Sequence, residues 1–155
     1  MTFSQKETLL LQDLRSKEEL CVEKYTKYEH NAVSPELKTL MGELRKKEEE
    51  HVQTICKLMN GELPNMTAGQ SGQQQTPTPA GGTAQYASNQ SGFENDKFLC
   101  SDALSTEKHV SATYNTCIFE FKNPQVRNIL NHIQKEEQEH GEKLYKFMSQ
   151  SGMYN

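Results

Sequence analysis

The sequence has 155 residues and a net charge of −4; only 34% of its residues are hydrophobic, and its mean hydropathy is −0.85. This length corresponds to a single domain. Acidic and basic residues are interleaved without a basic stripe, which argues against a nucleic-acid partner. No apolar run is long enough for a membrane span or a signal peptide, so we expect synthesis in the cytoplasm without a signal peptide.

The first half of the chain contains two segments with helical periodicity. Residues 4–31 begin with Ser4 and Glu7, which have the spacing of a capping box, and carry an apolar stripe at steps of three and four. A second helix is predicted from Ser34, an N-cap residue followed by proline, to a stop at Gly61. These two helices form a predicted hairpin over residues 4–61.

The second half of the chain repeats this plan. A third helix is predicted over residues 94–121, and Asn123-Pro124 opens a fourth. No segment shows the period-two alternation of a strand. We therefore predict an all-α fold: one domain over residues 1–155, built as a four-helix bundle of two hairpins at 4–61 and 93–149. Residues 62–92, rich in Gly, Gln, Ser, Thr and Pro, are predicted to be a low-complexity crossover linker between the hairpins.

The two hairpins are copies of one unit. At an offset of 89 residues, positions 11–59 align with positions 100–148 without a gap. The alignment matches identical residues throughout both helices, including the pairs Glu18/Glu107, Tyr25/Tyr114, Pro35/Pro124, Glu48/Glu137 and His51/His140. Duplication of a helix hairpin explains this pattern, because two such hairpins close a four-helix bundle.

Each copy contains a Glu-x-x-His motif. A carboxylate and an imidazole three residues apart share one face of a helix and can bind one ion together. One such motif is weak evidence of a site, because Glu and His are ordinary residues on helix surfaces. Here each copy also has a glutamate thirty residues upstream, on the preceding helix. All six residues lie on the apolar stripes: Glu18, Glu48, His51, Glu107, Glu137 and His140.

Burial of four carboxylates costs several kcal/mol each unless a positive charge compensates them. Two divalent cations would compensate them, and no Lys or Arg lies on these stripes. The pattern is the one found in ferritin-like di-iron and di-manganese proteins, where two helices supply Glu and the other two supply Glu-x-x-His. Four carboxylates and two imidazoles without a thiolate favour iron or manganese, although zinc could occupy such a site in a crystal.

Several residues near the predicted ligands can be interpreted in two ways. Tyr25 and Tyr114 follow Glu18 and Glu107 by one heptad, so they are either hydrogen-bond donors beside the ligands or core aromatics with hydroxyls at the bundle surface. Asp13 and Asp102 either accept the free N–H groups of the histidines or are exposed. The four cysteines form no C-x-x-C pair and are expected to be small buried hydrophobes, unless they cross-link in an assembly.

Both helix pairs resemble the ferritin-like superfamily, and a finer similarity is found in longer segments. The segments LCVEKYTKYEHNAVSPELKTL, LSTEKHVSATYNTCIFEF and LNHIQKEEQEHGEKLYKFM, with the terminal GMY, resemble the coat-F family of spore coat proteins from endospore-forming Firmicutes. The ferritin-like resemblance implies that Glu48 and Glu137 bridge two metal ions. It also implies that Glu18 and Glu107 are terminal carboxylates and that each ion has one histidine ligand.

The coat-F resemblance implies synthesis in the mother cell and deposition in the spore coat, beside other coat proteins and as a homo-oligomer. Some members of that family lack the metal residues, so enzymatic activity stays open. One hypothesis is a structural coat component whose bundle is stiffened by metal. The other is a di-metal oxidase or peroxidase that uses O₂ or H₂O₂ for oxidative protection or coat cross-linking. Iron storage is a weaker option because it requires a closed cage.

Overall fold

The computed structural model describes residues 1–66 and 83–154. Within those residues the chain forms four long helices and a short 3-10 helix, and no strand occurs there. The prediction of an all-α four-helix bundle is confirmed. In chain order the elements are α1 (Gln5–Asn31), α2 (Pro35–Met59), η1 (Thr83–Tyr86), α3 (Gln90–Ile118) and α4 (Pro124–Gln150).

The predicted helix starts are set by local side-chain caps. Ser4 and Glu7 form the full capping box at α1, with Ser4 N donating to Glu7 Oε2 at 2.8 Å. Ser34 accepts from Leu37 N at the start of α2, directly before Pro35. Gly61 has φ +80°, a left-handed conformation that suits glycine and ends the second helix.

The third helix begins earlier than its apolar stripe indicates. It starts at Gln90, inside the segment predicted as linker, because the side chain of Asn89 accepts from Gly92 N at 2.9 Å and caps the helix. It ends at Ile118, short of the predicted 121. The middle of the predicted linker, residues 67–82, lies outside the described residues.

Cross-bundle contacts define the helix directions. Tyr25 contacts Glu107, and Tyr114 contacts Glu18, so α1 and α3 are antiparallel neighbours. Glu48 of α2 contacts His140 of α4, on the opposite side of the bundle. The order is therefore up, down, down, up, and the ends of the chain on either side of 67–82 lie at opposite ends of the bundle.

The core has two apolar clusters with a polar layer between them. One cluster surrounds Tyr28, Met41 and Leu44, and the other surrounds Leu11, Ile55 and Ile133. The six predicted ligands lie on the same helices between these clusters, because their positions continue the apolar stripes. A packed apolar layer above and below keeps this polar layer away from water.

Each hairpin is held by an acid from the other hairpin. Asp96 on α3 is fully buried and accepts from Val33 N at 2.8 Å and from Ser34 N at 2.9 Å, in the α1–α2 loop. Glu7 on α1 accepts from Lys122 N at 3.1 Å, in the α3–α4 loop. The two acids occupy equivalent positions of the duplicated unit, as do the two loops. We call these two contacts the end latches; they fix the hairpins to each other at both ends of the bundle.

Candidate metal centre

The structure brings all six predicted ligands together at the middle of the bundle. None of the six is more than 3% exposed. They form two overlapping groups of four residues, each with one ligand atom per residue within 4.8 Å of the others. One group contains Glu18 and His51, the other contains Glu107 and His140, and both contain Glu48 and Glu137.

Glu48 and Glu137 lie between the two histidines. Nδ1 of His51 is 3.0 Å from Glu48 Oε2 and 3.2 Å from Glu137 Oε1. Nδ1 of His140 is 3.2 Å from Glu48 Oε1 and 3.4 Å from Glu137 Oε2. Each of these carboxylates therefore directs one oxygen to each half of the centre, which is the geometry that a bridging ligand requires. The two imidazole rings stack with centroids 5.7 Å apart and planes 17° apart.

The centre contains buried carboxylate oxygens that lack a well-directed hydrogen bond. Within the described residues these are Glu18 Oε2, Glu107 Oε2 and both oxygens of Glu137, although the imidazoles lie close to some of them. Buried polar groups are normally hydrogen-bonded, so several such oxygens at one place indicate a partner of another kind, such as a metal ion. Carboxylate and imidazole donors fit iron or manganese. Four carboxylates and two neutral imidazoles also balance the charge of two divalent ions.

Two tyrosines orient the remaining glutamates. Tyr25, 1% exposed, donates its hydroxyl to Glu107 Oε1, and the fully buried Tyr114 donates to Glu18 Oε1. Each tyrosine thus contacts the glutamate of the other hairpin, and the second oxygen of that glutamate stays free for an ion. Neither hydroxyl lies at the bundle surface, so the interpretation as surface-directed core aromatics is wrong.

We expect Tyr25→Phe and Tyr114→Phe each to weaken Mn²⁺ binding about tenfold, because the hydroxyl that fixes a carboxylate is lost. Equilibrium dialysis with Mn²⁺ measures this. Tyr28→Phe is the matched control, since Tyr28 donates to Asp102, which is not a predicted ligand. Equal affinity in all three variants would contradict the orienting role.

Protons stabilise the centre when metal is absent. Burial raises the pKa of Glu18 well above its usual value, and burial together with Glu137 raises the pKa of Glu107 to about 7. Burial alone would lower the pKa of His51 and His140, but hydrogen bonds with the surrounding carboxylates raise both. The two imidazolium groups then neutralise Glu48 and Glu137, so the metal-free protein carries protons at neutral pH.

The sequence did not predict the residue that contacts the second ring nitrogen of His51. Its Nε2 is 2.8 Å from Glu136 Oε2, on the residue directly before Glu137. Asp13 is exposed, and Asp102 bonds Tyr28 and Lys24, so neither aspartate contacts a histidine. A glutamate on a mixed-charge helix face gives no sequence signal for this contact.

An open surface pocket of about 260 Å³ lies between α1 and α3. Its lining includes Cys21 and Val110, which are both buried and lie on the helical turns directly after Glu18 and Glu107. Burial, and then the charges of the four glutamates, raise the pKa of the Cys21 thiol, which therefore stays protonated. None of the six predicted ligands lines this pocket.

The fold and the polar layer define a four-helix bundle with a buried carboxylate–histidine centre. Residues 95–155 match the family model of the Coat F domain. This span covers nearly all of α3 and the whole of α4, with three of the six predicted ligands. The match supports the coat-F resemblance, and it therefore also supports a role as a spore coat component. No curated protein and no solved structure matches the chain.

No helix among the described residues combines the length and the apolar composition needed to cross a bilayer. The four cysteines are free, and Cys21, Cys100 and Cys117 are buried as expected for small hydrophobes.

Proposed function

We propose that this chain is a spore coat component whose ferritin-like bundle binds a pair of iron or manganese ions. The observation that carries the proposal is the overlap of the two four-residue groups at Glu48 and Glu137. The ions would be held by these two bridging carboxylates, with Glu18 and His51 on one ion and Glu107 and His140 on the other. Bound ions would cross-link all four helices at mid-height and stiffen the bundle.

Metal stoichiometry tests the proposal directly. Purified protein is loaded anaerobically with Fe²⁺ or with Mn²⁺, desalted and subjected to elemental analysis, and two ions per chain are expected. Fewer than two ions with both metals would overturn the di-metal centre. Immunogold labelling of sporulating cells tests the location: label in the coat layer is expected, and label confined to the spore core would contradict it.

Metal binding is expected to release protons from both imidazoles and from Glu18. Their pKa values are raised in the metal-free protein, so a metal ion competes with protons and its affinity falls as the pH is lowered. Isothermal titration calorimetry with Mn²⁺ in buffers of different ionisation enthalpy measures the number of protons released. Heats that are independent of the buffer would contradict this protonation of the free centre.

A di-metal oxidase or peroxidase is the second candidate, and the α1–α3 pocket favours it. Four protein ligands per ion leave coordination positions for a small molecule, and the pocket reaches Cys21 and Val110 beside the ligands. Bound ions would supply the redox change, while Tyr25 and Tyr114 would hold the terminal carboxylates. The test is anaerobic Fe²⁺ loading followed by O₂ or H₂O₂, with a transient absorption band expected. If neither oxidant is turned over, the oxidase or peroxidase hypothesis is contradicted, and only the structural role remains.

A further inference from the structure

The duplicated halves of the centre differ outside their ligands. His51 Nε2 is 2.8 Å from the carboxylate of Glu136, on the side of the ring away from the centre. At the offset of the repeat, the residue equivalent to Glu136 is Lys47, a cation that cannot accept an N–H. Within the described residues, the hydrogen bonds and ion pairs of His140 all involve Nδ1, so its Nε2 has no such acceptor.

Glu136 is built into this position. Its side chain is only 18% exposed, and its other oxygen lies 3.3 Å from His132 Nε2 and 3.5 Å from Lys47 Nζ. These contacts hold the carboxylate against the His51 ring. The first half of the centre therefore has a fixed acceptor behind its histidine, whereas the second half does not.

A carboxylate behind a metal-binding histidine has a known physical effect. Both rings direct Nδ1 to the centre, so a bound ion requires the ring proton to lie on Nε2. An acceptor at Nε2 fixes that tautomer and the ring orientation, and it makes the metal-binding nitrogen a better donor. The negative charge of Glu136 also favours a cation on its side of the centre. Both effects act at His51 and are absent at His140.

We propose that the two metal positions are unequal: the Glu18/His51 position binds the first ion more tightly, and Glu136 is the positioning residue that makes it so. This inference rests on the proposed di-metal centre. The second ion then enters the Glu107/His140 position, with Glu48 and Glu137 already oriented by the first. Loading is stepwise, although the six ligands are related by the repeat.

Titration of the full chain with Mn²⁺ alone tests the proposal, by equilibrium dialysis and electron paramagnetic resonance. In the wild-type protein the first ion is expected to bind at least tenfold more tightly than the second. It should give an isolated Mn²⁺ signal that changes to a spin-coupled one at the second equivalent. Glu136→Gln keeps the shape but loses the charge, and it should weaken the first step about tenfold with little change in the second.

The reciprocal variant gives an independent result. Lys47→Glu introduces a carboxylate at the position that the repeat relates to Glu136, and should strengthen the second step about tenfold. Because it also removes the contact between Lys47 and Glu136, it should weaken the first step. Matched controls are Glu139→Gln and Lys46→Glu, which make the same chemical changes at exposed sites of the same helices and should leave both steps unchanged. Melting temperatures of the metal-free variants establish that each is folded.

The outcomes separate this inference from the proposed function. Two ions that bind with equal affinity in the wild-type protein would overturn the inequality and leave the di-metal centre intact. The same holds if both steps are unchanged in Glu136→Gln and in Lys47→Glu. A wild-type protein that binds neither Mn²⁺ nor Fe²⁺ would overturn the proposed function, and this inference with it.

Discussion

Replacement of Glu48 and Glu137 together by alanine is expected to abolish binding of the metal pair. These two carboxylates belong to both four-residue groups, so the double variant removes half of each group. Metal at a hundred times its dissociation constant stabilises a folded protein by about 2.7 kcal/mol. For a chain of this size that corresponds to a rise in melting temperature of roughly 5–10 °C. The double variant should show no such rise, and elemental analysis should find no bound ions.

A matched control is available in the repeat itself. Glu50 and Glu139 are equivalent exposed glutamates on the same two helices, so Glu50→Ala with Glu139→Ala makes the same change in charge. This control should bind two ions. The metal-free Glu48/Glu137 variant should be less stable than the metal-free wild-type protein, because the two buried imidazolium groups lose their counter-charges. The rise in melting temperature on addition of metal is therefore measured within each variant. Unchanged metal content in the double variant would show that the ligand assignment is wrong.

Replacement of Asp96 by alanine should be the most destabilising single change outside the metal centre. The fully buried carboxylate accepts from Val33 N, Ser34 N, the hydroxyl of Tyr86 and Asn95 Nδ2, so its loss leaves four donors without this acceptor. Loss of one partner from such a buried charged network costs about 3–5 kcal/mol. Urea unfolding of the metal-free protein should show this loss as a lower midpoint.

Glu94→Ala is the control for this prediction. Glu94 lies two residues before Asp96 on the same helix but is exposed, and a change there should cost less than about 0.5 kcal/mol. The loss of stability in Glu7→Ala should lie between these two values. At the other end latch, Glu7 accepts only one loop N–H, from Lys122, together with the N–H of Ser4. If Asp96→Ala and Glu94→Ala unfold at the same urea concentration, the end latch contributes no stability.

The sequence was sufficient for the bundle because each helix carries its own start signal and apolar stripe. Ser4 and Ser34 are short polar residues directly before segments with helical periodicity, and both are N-caps as predicted. The start of α3 was missed because Asn89 caps a first turn of Gln, Ser and Gly that has no apolar periodicity. Composition alone placed that turn in the linker.

The six residues of the centre could be chosen from the sequence because the repeat placed each of them twice on an apolar stripe. Their partners could not all be chosen in this way. Tyr25 and Tyr114 bond across the hairpins, and the direction of a tyrosine hydroxyl depends on packing that one helix does not determine. The equivalent of Glu136 in the other copy is Lys47, a residue of opposite charge, so the repeat gave no indication of the contact that Glu136 makes. The end latches could have been predicted from the sequence, because Glu7 and Asp96 are equivalent acids just outside the aligned region.

The division of the centre between two hairpins has a consequence for the order of events during synthesis. The N-terminal hairpin leaves the ribosome first, and it contains only three of the ligands: Glu18, Glu48 and His51. The end latch at its loop cannot form until Asp96 has been synthesised. The remaining ligands are at positions 107, 137 and 140, so neither four-residue group is complete until α4 has been made. Contacts between such distant parts of a chain form late in folding. A growing chain therefore holds no finished metal site, and ions can be captured as a pair only by the completed protein.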